Sequence, residues 1–438
     1  MPTKKIIIIS AVVLLCLAVL FIGTVGVLRF GFGIDVFDRS GWKTADDGSS
    51  VYLDYYGKPL LSWQIIDGAT YYFREPDGVM VTGWLTLGDQ RYYLDDTGKL
   101  QTGWLFNENK TYYLDKTGAA VTGWLTQQNK HYYFCDDGSM ATGWLKTDDK
   151  TYYLDENGIM QSGWLTVEDK TYYLSDDGVV QTGWLELETG KYYLDSAGAM
   201  ATGWLDLENR RYFFVETGVM HTGWLDLENK RYYFHPNGVM AIGQVEIDGV
   251  NRFFASSGAY VILVNRDNYI PADFKTNLVS IGKYKIDASC KDALEQMIND
   301  CNAAGFSCKI NNTYRSKSTQ KGIWNRKVNQ YMSQGYSYEE AFAKTGTSVA
   351  YPGTSEHQLG LAVDITGNNA MYKWLAEHCA EYGFILRYPD KKIDKTGIKY
   401  EPWHFRYLGV DLAKEITATG LCLEEYMDML TEQAKQNS

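Results

Sequence analysis

The stretch Tyr351–Ile365, YPGTSEHQLGLAVDI, sets His357 and Asp364 seven residues apart, with Ser355 just before them and small residues between. Downstream, Lys399–Tyr407 reads KYEPWHFRY and puts Glu401 three positions before His404. Two histidines, an aspartate and a nearby glutamate form the inventory of a catalytic zinc site. Three protein ligands hold the ion, a fourth position stays open to water, and a carboxylate outside the ligand set works as base. Leu359–Ile365 reads as a strand carrying Asp364, and Phe384–Tyr388 and Trp403–Tyr407 are further strand candidates. Cys308–Thr313 alternates as a short strand that delivers Tyr314, Arg315 and Ser316. Lys291–Ala304 has helical spacing, with Leu294, Met297, Ile298 and Cys301 on one face and Asp287 or Ser289 near its start. Thr319–Gln334 and Met371–Tyr382 read as further helices. The expectation is an α+β domain of about 175 residues, with helices around a small antiparallel sheet.

Ahead of this domain the chain is periodic. Gly-Trp recurs at Trp84, Trp104, Trp124, Trp144, Trp164, Trp184, Trp204 and Trp224, always twenty residues apart. Each unit reads TGWL, a polar turn, a Tyr-Tyr-Leu-Asp run and then a Gly. Looser copies lie around Trp42 and Trp63, and Gln244 with Phe253-Phe254 marks an atypical last unit suited to capping. Aromatic pairs bounded by Asn, Asp and Gly turns are hairpin signals. One such hairpin cannot bury its aromatics alone, whereas stacked copies can, so the pattern predicts an all-β hairpin-repeat solenoid. The recurring Met140, Met160, Met200, Met220 and Met240 are expected in the seam between units. His131, His221 and His235 are expected at the surface without a role. Ile262–Phe274 reads as the linker into the next domain.

At the N-terminus, residues 6–28 are an uncharged apolar run preceded by Lys4 and Lys5. It spans roughly 34 Å as a helix, enough for a bilayer core, and the flanking charge favours a cytoplasmic N-terminus. A cleaved signal peptide competes with this reading; in either case the remainder is exported. The chain of 438 residues is 15% aromatic with 34 Tyr, which excludes a disordered class. A net charge of −12 gives no basic patch to neutralise phosphates, so no nucleic-acid partner is expected. Five of the seven cysteines follow Cys290 inclusive, and one or two disulfides among them or none are both consistent with the spacing.

The C-terminal motifs resemble the VanY-type D-alanyl-D-alanine carboxypeptidases, zinc peptidases of the LAS group. The resemblance rests on VNRDNYIPADF, TYRSKSTQ, SEHQLGLAVDI, FILRYP and EPWHFRYLG, in that order between Leu263 and Gly409. It implies Zn²⁺ bound by His357, Asp364 and His404, with Glu401 as catalytic base. It further implies that Arg315 grips the substrate and that Gln320, Ser355 and Tyr388 line the site. The implied substrate is the peptidoglycan stem peptide, cut by D,D-carboxypeptidase action; L,D-carboxypeptidase or endopeptidase action and a non-catalytic surface protein are the alternatives.

The repeats resemble choline-binding-type cell-wall repeats, whose aromatics hold choline by cation–π attraction or stack on sugars. Such units usually carry a tryptophan just before the Tyr-Tyr pair; here Thr111, His131, Thr151, Lys191 or Arg231 stands there. Wall glycan, a teichoic-acid polymer, choline and a spacer role all stay open. The organisation expected is a cytoplasmic start (1–5), a transmembrane anchor (6–28), a linker (29–49), wall-binding repeats (50–258) and the zinc carboxypeptidase domain (259–438). The molecule would then be a single-pass protein with its repeats and catalytic domain in a Gram-positive cell wall.

Overall fold

The computed structural model describes residues 39–44 and 46–436. The expected membrane anchor, 6–28, lies outside the described residues, and among those described no helix is long and apolar enough to cross a membrane. The chain forms two compact units, Met1–Gln181 and Thr182–Ser438.

The first unit is a series of two-stranded antiparallel hairpins, such as Gly103–Asn107 with Lys110–Leu114 and Gly143–Thr147 with Lys150–Leu154. The looser copies form hairpins as well. The first, Gly41–Thr44 with Ser50–Leu53, begins within the segment expected to be a linker. The turns explain the regularity. Glu108 and Asn109 have φ of 50° and 61°, and Asp148 and Asp149 have 50° and 59°. Two successive positive φ values make the primed turn whose twist matches that of paired strands, and after glycine it is Asn and Asp that tolerate it best. Strand alternation then divides each Tyr-Tyr pair. Tyr112 and Tyr152 are buried, while Tyr113 and Tyr153 meet the tryptophan opposite, with ring centroids 5.1 and 5.0 Å apart.

Consecutive hairpins are stitched by backbone hydrogen bonds: the Met140 amide donates to the Thr111 carbonyl (2.7 Å) and the Met160 amide to the His131 carbonyl (2.9 Å). The methionines do sit in the seam. A Cβ on Gly158, whose φ is +75°, would stand 2.4 Å from the Met140 sulfur, so glycine is required both by conformation and by space.

The second unit continues with three hairpins of the same kind and closes them with a three-stranded sheet, Gly243–Ile247, Val250–Phe254 and Tyr260–Val261. His221 and His235 are half-buried here, against the expectation of exposure. The His221 ring lies 5.5 Å from that of Phe234, and its Nε2 is 3.0 Å from the Trp224 carbonyl, because the period places it under the next aromatic row.

The C-terminal domain is built on a four-stranded antiparallel sheet of β1 (Lys309–Asn312), β2 (Ala362–Thr366), β3 (Phe384–Leu386) and β4 (His404–Tyr407), in the order β1-β2-β4-β3. Its longer helices are α1 (Lys291–Ala303), α2 (Lys317–Met332), α3 (Tyr338–Gly346), α4 (Asn369–His378), α5 (Val410–Thr419) and α6 (Leu423–Gln436). Helix α1 buries Leu294, Met297 and Cys301 against Val363, Ile365, Leu375 and Phe405. Each such apolar side chain contributes about 1.5–3 kcal/mol of transfer free energy. Ser316 caps α2 through the Thr319 amide, and Ser337 with Glu340 forms a reciprocal cap on α3.

Two elements differ in extent from the sequence reading. Leu359 belongs to a 3₁₀ turn, Glu356–Leu359, that precedes the strand, and Met371–Tyr382 divides into α4 and a 3₁₀ turn after it. The six described cysteines are free, and Cys290, Cys301, Cys308, Cys379 and Cys422 are buried as small apolar groups. Helix α6 covers the last hairpin: the Gln244 amide donates to Thr431 Oγ1 (2.8 Å), and Gly243 leaves no room for a Cβ against the α6 backbone. The tryptophan that recurs in the preceding repeats is replaced by Gln244 where this helix docks.

Candidate active site

The register of the sheet assembles the site. Asp364, in the middle of β2, is paired directly with His404 on β4 and with Asn312 on β1, so the three side chains emerge on one face. His357 reaches the same face from the 3₁₀ turn Glu356–Leu359. That turn ends at Gly360 in the left-handed conformation (φ +75°), where a Cβ would stand 3.1 Å from the Asp287 amide nitrogen. His357, Asp364 and His404 are all buried, and one donor atom from each lies within 4.8 Å of the others.

The hydrogen bonds orient both rings. His357 Nδ1 is 2.6 Å from the Thr313 carbonyl, which makes it the protonated nitrogen and turns the Nε2 lone pair toward Asp364, 3.2 Å away. His404 Nδ1 is 2.9 Å from Asp364 Oδ1, and its Nε2 lies 3.5 Å from Glu356 Oε2. Each imidazole thus has one nitrogen facing the site and the other braced from behind, the arrangement that fixes tautomer and aim in metal centres. Burial lowers the His357 pKa. Burial also acts to lower that of His404, but Asp364 and Glu356 outweigh it and raise the group to about 9. Burial alone would raise Asp364, yet the two histidines hold its carboxyl well below the usual range.

The other expected site residues are distributed around this cluster. Arg315 donates from Nη2 to Asp364 Oδ2 (2.7 Å) and from Nη1 to Gln320 Oε1 (3.3 Å), while its buried Nε has no partner. Gln320 is fully buried on α2 and spends its amide on the Ala350 carbonyl (2.7 Å). It braces Arg315 from behind rather than lining the cleft. Ser355, Tyr388 and Glu401 line a cleft of about 240 Å³ together with Arg315, His357, Asp364, His404 and Trp403. The Tyr388 ring lies 4.8 Å from that of His404. Burial raises the Glu401 pKa to about 7, with Asp364 adding to the effect and His404 and Arg315 opposing it.

A second, fully buried group escaped the sequence reading. Glu356 Oε1 accepts from Arg387 Nε (2.7 Å) and Arg406 Nη1 (2.9 Å). Arg387 also binds Glu424 of α6, through Nη1 at 2.8 Å. The signal was present for the arginines, since one interrupts each of the apolar runs FILRY and HFRYL, whereas Glu356 stands in the polar stretch SEHQ. Charges are almost never fully buried unless paired. No local rule says which of these three finds which.

Residues 283–410 match the family model of D-alanyl-D-alanine carboxypeptidase. Residues 60–86, 81–122, 121–162 and 221–263 match that of a choline-binding repeat, and 162–180 and 182–200 a cell wall binding repeat. A D-alanyl-D-alanine carboxypeptidase of Enterococcus faecalis is 42% identical over 175 residues, covering 38% of this chain and 65% of that protein. A bifunctional D-Ala-D-Ala dipeptidase and D-Ala-D-Ala carboxypeptidase of Enterococcus gallinarum is 37% identical, with 28% and 67% covered. The chain spans 65% and 66% of the first two curated relatives, those of Enterococcus faecalis and Bacillus subtilis. Among solved structures, a vancomycin-resistance D,D-pentapeptidase in complex with Zn(II) is 42% identical, covers 38% of this chain and 97% of its own, and has a TM-score of 0.37. CbpJ from Streptococcus pneumoniae is 31% identical, with 52% and 97% covered and a TM-score of 0.44.

Proposed function

Because the chain belongs to the VanY family of D-alanyl-D-alanine carboxypeptidases, with choline-binding-type repeats ahead of that domain, we propose that it is a zinc-dependent D,D-carboxypeptidase removing the C-terminal D-alanine of peptidoglycan stem peptides. The observation that carries the reading is the convergence of His357, Asp364 and His404 on one cleft that also holds Glu401 and Arg315. Two imidazoles and one carboxylate, with both outward-facing nitrogens already braced, suit Zn²⁺. Bound there, the ion would supply Lewis acidity toward the peptide carbonyl and its attacking water.

The chain's own residues account for the remaining chemistry. Glu401 accepts the proton of the attacking water as oxygen bonds to the carbonyl carbon, and returns a proton to the amine as the C–N bond breaks. A carboxyl pushed to about 7 by burial is matched to both transfers near neutral pH. Arg315, which lines the cleft, receives the terminal carboxylate of the substrate through its planar guanidinium. Gln320 and Asp364 hold the guanidinium in place, and Ser355 and Tyr388 bound the cleft. In this reading the repeats hold the enzyme on wall polymer, and residues 6–28 tether it to the membrane with both domains outside.

The test compares stem peptides. Pentapeptide ending in D-Ala-D-Ala should lose one D-alanine, whereas the tetrapeptide and a C-terminally amidated pentapeptide should be cut far more slowly. Preferred cleavage of the tetrapeptide would make the enzyme an L,D-carboxypeptidase, and equal cleavage of acid and amide an endopeptidase.

A further inference from the structure

The buried charges behind His404 are tied to parts of the chain outside residues 283–410, the stretch that matches the carboxypeptidase family. Glu356, Arg387, Arg406 and Glu424 are all buried, and each arginine reaches in two directions. Arg387 donates from Nε to Glu356 Oε1 (2.7 Å) and forks onto the Glu424 carboxylate of α6, from Nη1 at 2.8 Å and from Nη2 at 2.5 Å. Arg406 donates from Nη1 to the same Glu356 oxygen (2.9 Å) and from Nη2 to the Ile262 carbonyl (3.0 Å), one residue past the closing sheet of the repeats. Asn265 Nδ2 adds a bond to Glu424 Oε1 (3.1 Å). On the inner side everything converges on His404. Glu356 Oε2 lies 3.5 Å from His404 Nε2, and the Arg387 amide donates to the His404 carbonyl (3.2 Å). The Arg387 guanidinium also sits 5.0 Å from the centre of the Tyr388 ring, the ring that lies 4.8 Å from His404. On the outer side the network ends on the repeats. Helix α6 packs Leu423, Tyr426, Met427 and Leu430 into one cluster with Phe253 and Val261 of the closing sheet, and Ser256 Oγ donates to Glu415 Oε2 of α5 (2.7 Å).

Two carboxylates and two guanidiniums balance one another, but a buried network of this kind is weak evidence for stability, because apolar residues of similar volume often do as well or better. None of the four lines the cleft, so substrate does not meet them. What they fix is the His404 ring. A metal-ligating imidazole is aimed by the group behind it, and here that group, Glu356, is aimed in turn by two arginines whose far ends are gripped from outside the matched stretch. Resting on the reading of His357, Asp364 and His404 as metal ligands, we propose that Glu424 is a positioning residue for His404, acting through Arg387 and Glu356, and that the closing sheet of the repeats, through α6 and Ile262, belongs to the scaffold that sets the metal site. The boundary near residue 259 then divides repeats from peptidase in sequence only.

Zinc affinity of the full chain, measured by competition with a chromogenic chelator, tests this on three variants. Glu424→Gln keeps the shape of the side chain and removes the charge that grips Arg387. Affinity should fall about three- to ten-fold, less than for a group in direct contact with a ligand. The visible spectrum of the cobalt(II)-loaded protein should shift, and kcat should fall while KM for the pentapeptide stays native. Gly243→Ala loosens the outer end, since its Cβ would stand 2.6 Å from the Thr431 Cα on α6, and it should lower zinc affinity in the same sense. Gly223→Ala is the same substitution one repeat earlier, at φ +80° against +70°, with nothing within 4 Å of its Cβ. It should leave zinc affinity and the cobalt spectrum native. Far-UV circular dichroism establishes that each protein is folded at the assay temperature; if Glu424→Gln does not fold, the two glycine variants decide. Native zinc affinity in folded Glu424→Gln, or equal affinity in Gly243→Ala and Gly223→Ala, would overturn the inference and leave the metal-site reading intact. A native chain that binds no zinc would overturn both.

Discussion

Replacing Glu356 by Gln probes the group that braces the site from behind. The carboxylate is fully buried, accepts from Arg387 and Arg406 at 2.7 and 2.9 Å, and lies 3.5 Å from His404 Nε2. An amide cannot satisfy these neighbours in either orientation. With its oxygen toward the arginines, its NH₂ meets the His404 N–H; turned round, it meets guanidinium donors. Arg387 keeps Glu424, so the loss falls on Arg406 and His404. Breaking one side of a buried pair costs about 3–5 kcal/mol, which lowers the melting point of a domain this size by about 6–20 °C. Metal affinity should fall about 10–100-fold as the His404 ring loses its brace. The assay is thermal unfolding with and without added zinc, which identifies the catalytic-domain transition among those of the repeats. Desolvation would raise the Glu356 pKa, but the two arginines dominate and hold the carboxyl well below its ordinary range. A depressed folded pKa means the stabilisation is full above the unfolded value of about 4.3 and is lost as pH falls toward the folded one. The gap between native protein and Glu356→Gln should accordingly be constant at neutral pH and shrink below about pH 4. A melting point within 2–3 °C of native, together with unchanged zinc affinity, would refute the bracing argument.

Three further outcomes are expected. Arg315→Lys keeps the charge but loses the planar fork, so it should weaken turnover of the free-acid stem peptide, while Arg315→Ala should barely distinguish acid from amide. His404 is raised to about 9, so its stabilisation of the metal-free fold is present below the ordinary histidine value and lost as pH rises through about 9. Zinc must displace that proton, and competition titrations should show affinity climbing up to about ten-fold per pH unit until then. Gly218→Ala puts a Cβ at φ +79° and 2.2 Å from the Met200 sulfur, and should destabilise the second unit's repeats by about 1 kcal/mol or more in urea unfolding.

The parts legible in sequence were those fixed by local rules. A strict period, primed-turn residues such as Glu108-Asn109 and split Tyr-Tyr pairs determine each hairpin within its own unit. His357 and Asp364 showed a shared chemistry because the turn and strand that carry them are local consequences of SEHQLGLAVDI, whereas His404 joins them only through strand pairing across forty residues. What escaped depends on distant partners. Glu356, Arg387, Arg406 and Glu424 are separately unremarkable charges until tertiary contact pairs them. Gln320 belonged to the motif, but its place behind Arg315 follows from where Ala350 lies. The docking of α6 on the last hairpin joins residues 187 positions apart, beyond any periodicity argument.

The most direct test of the account measures metal and turnover on the same two proteins. Native chain and Glu401→Gln are loaded with zinc, their metal content is determined, and release of D-alanine from pentapeptide muropeptide is followed by mass spectrometry. Both should hold about one zinc per chain, as three ligands and a water imply, while Glu401→Gln should turn over about 10²–10⁴ times more slowly. Zinc-loaded Glu401→Gln releasing D-alanine at the native rate, or native protein releasing none, would contradict the central claim.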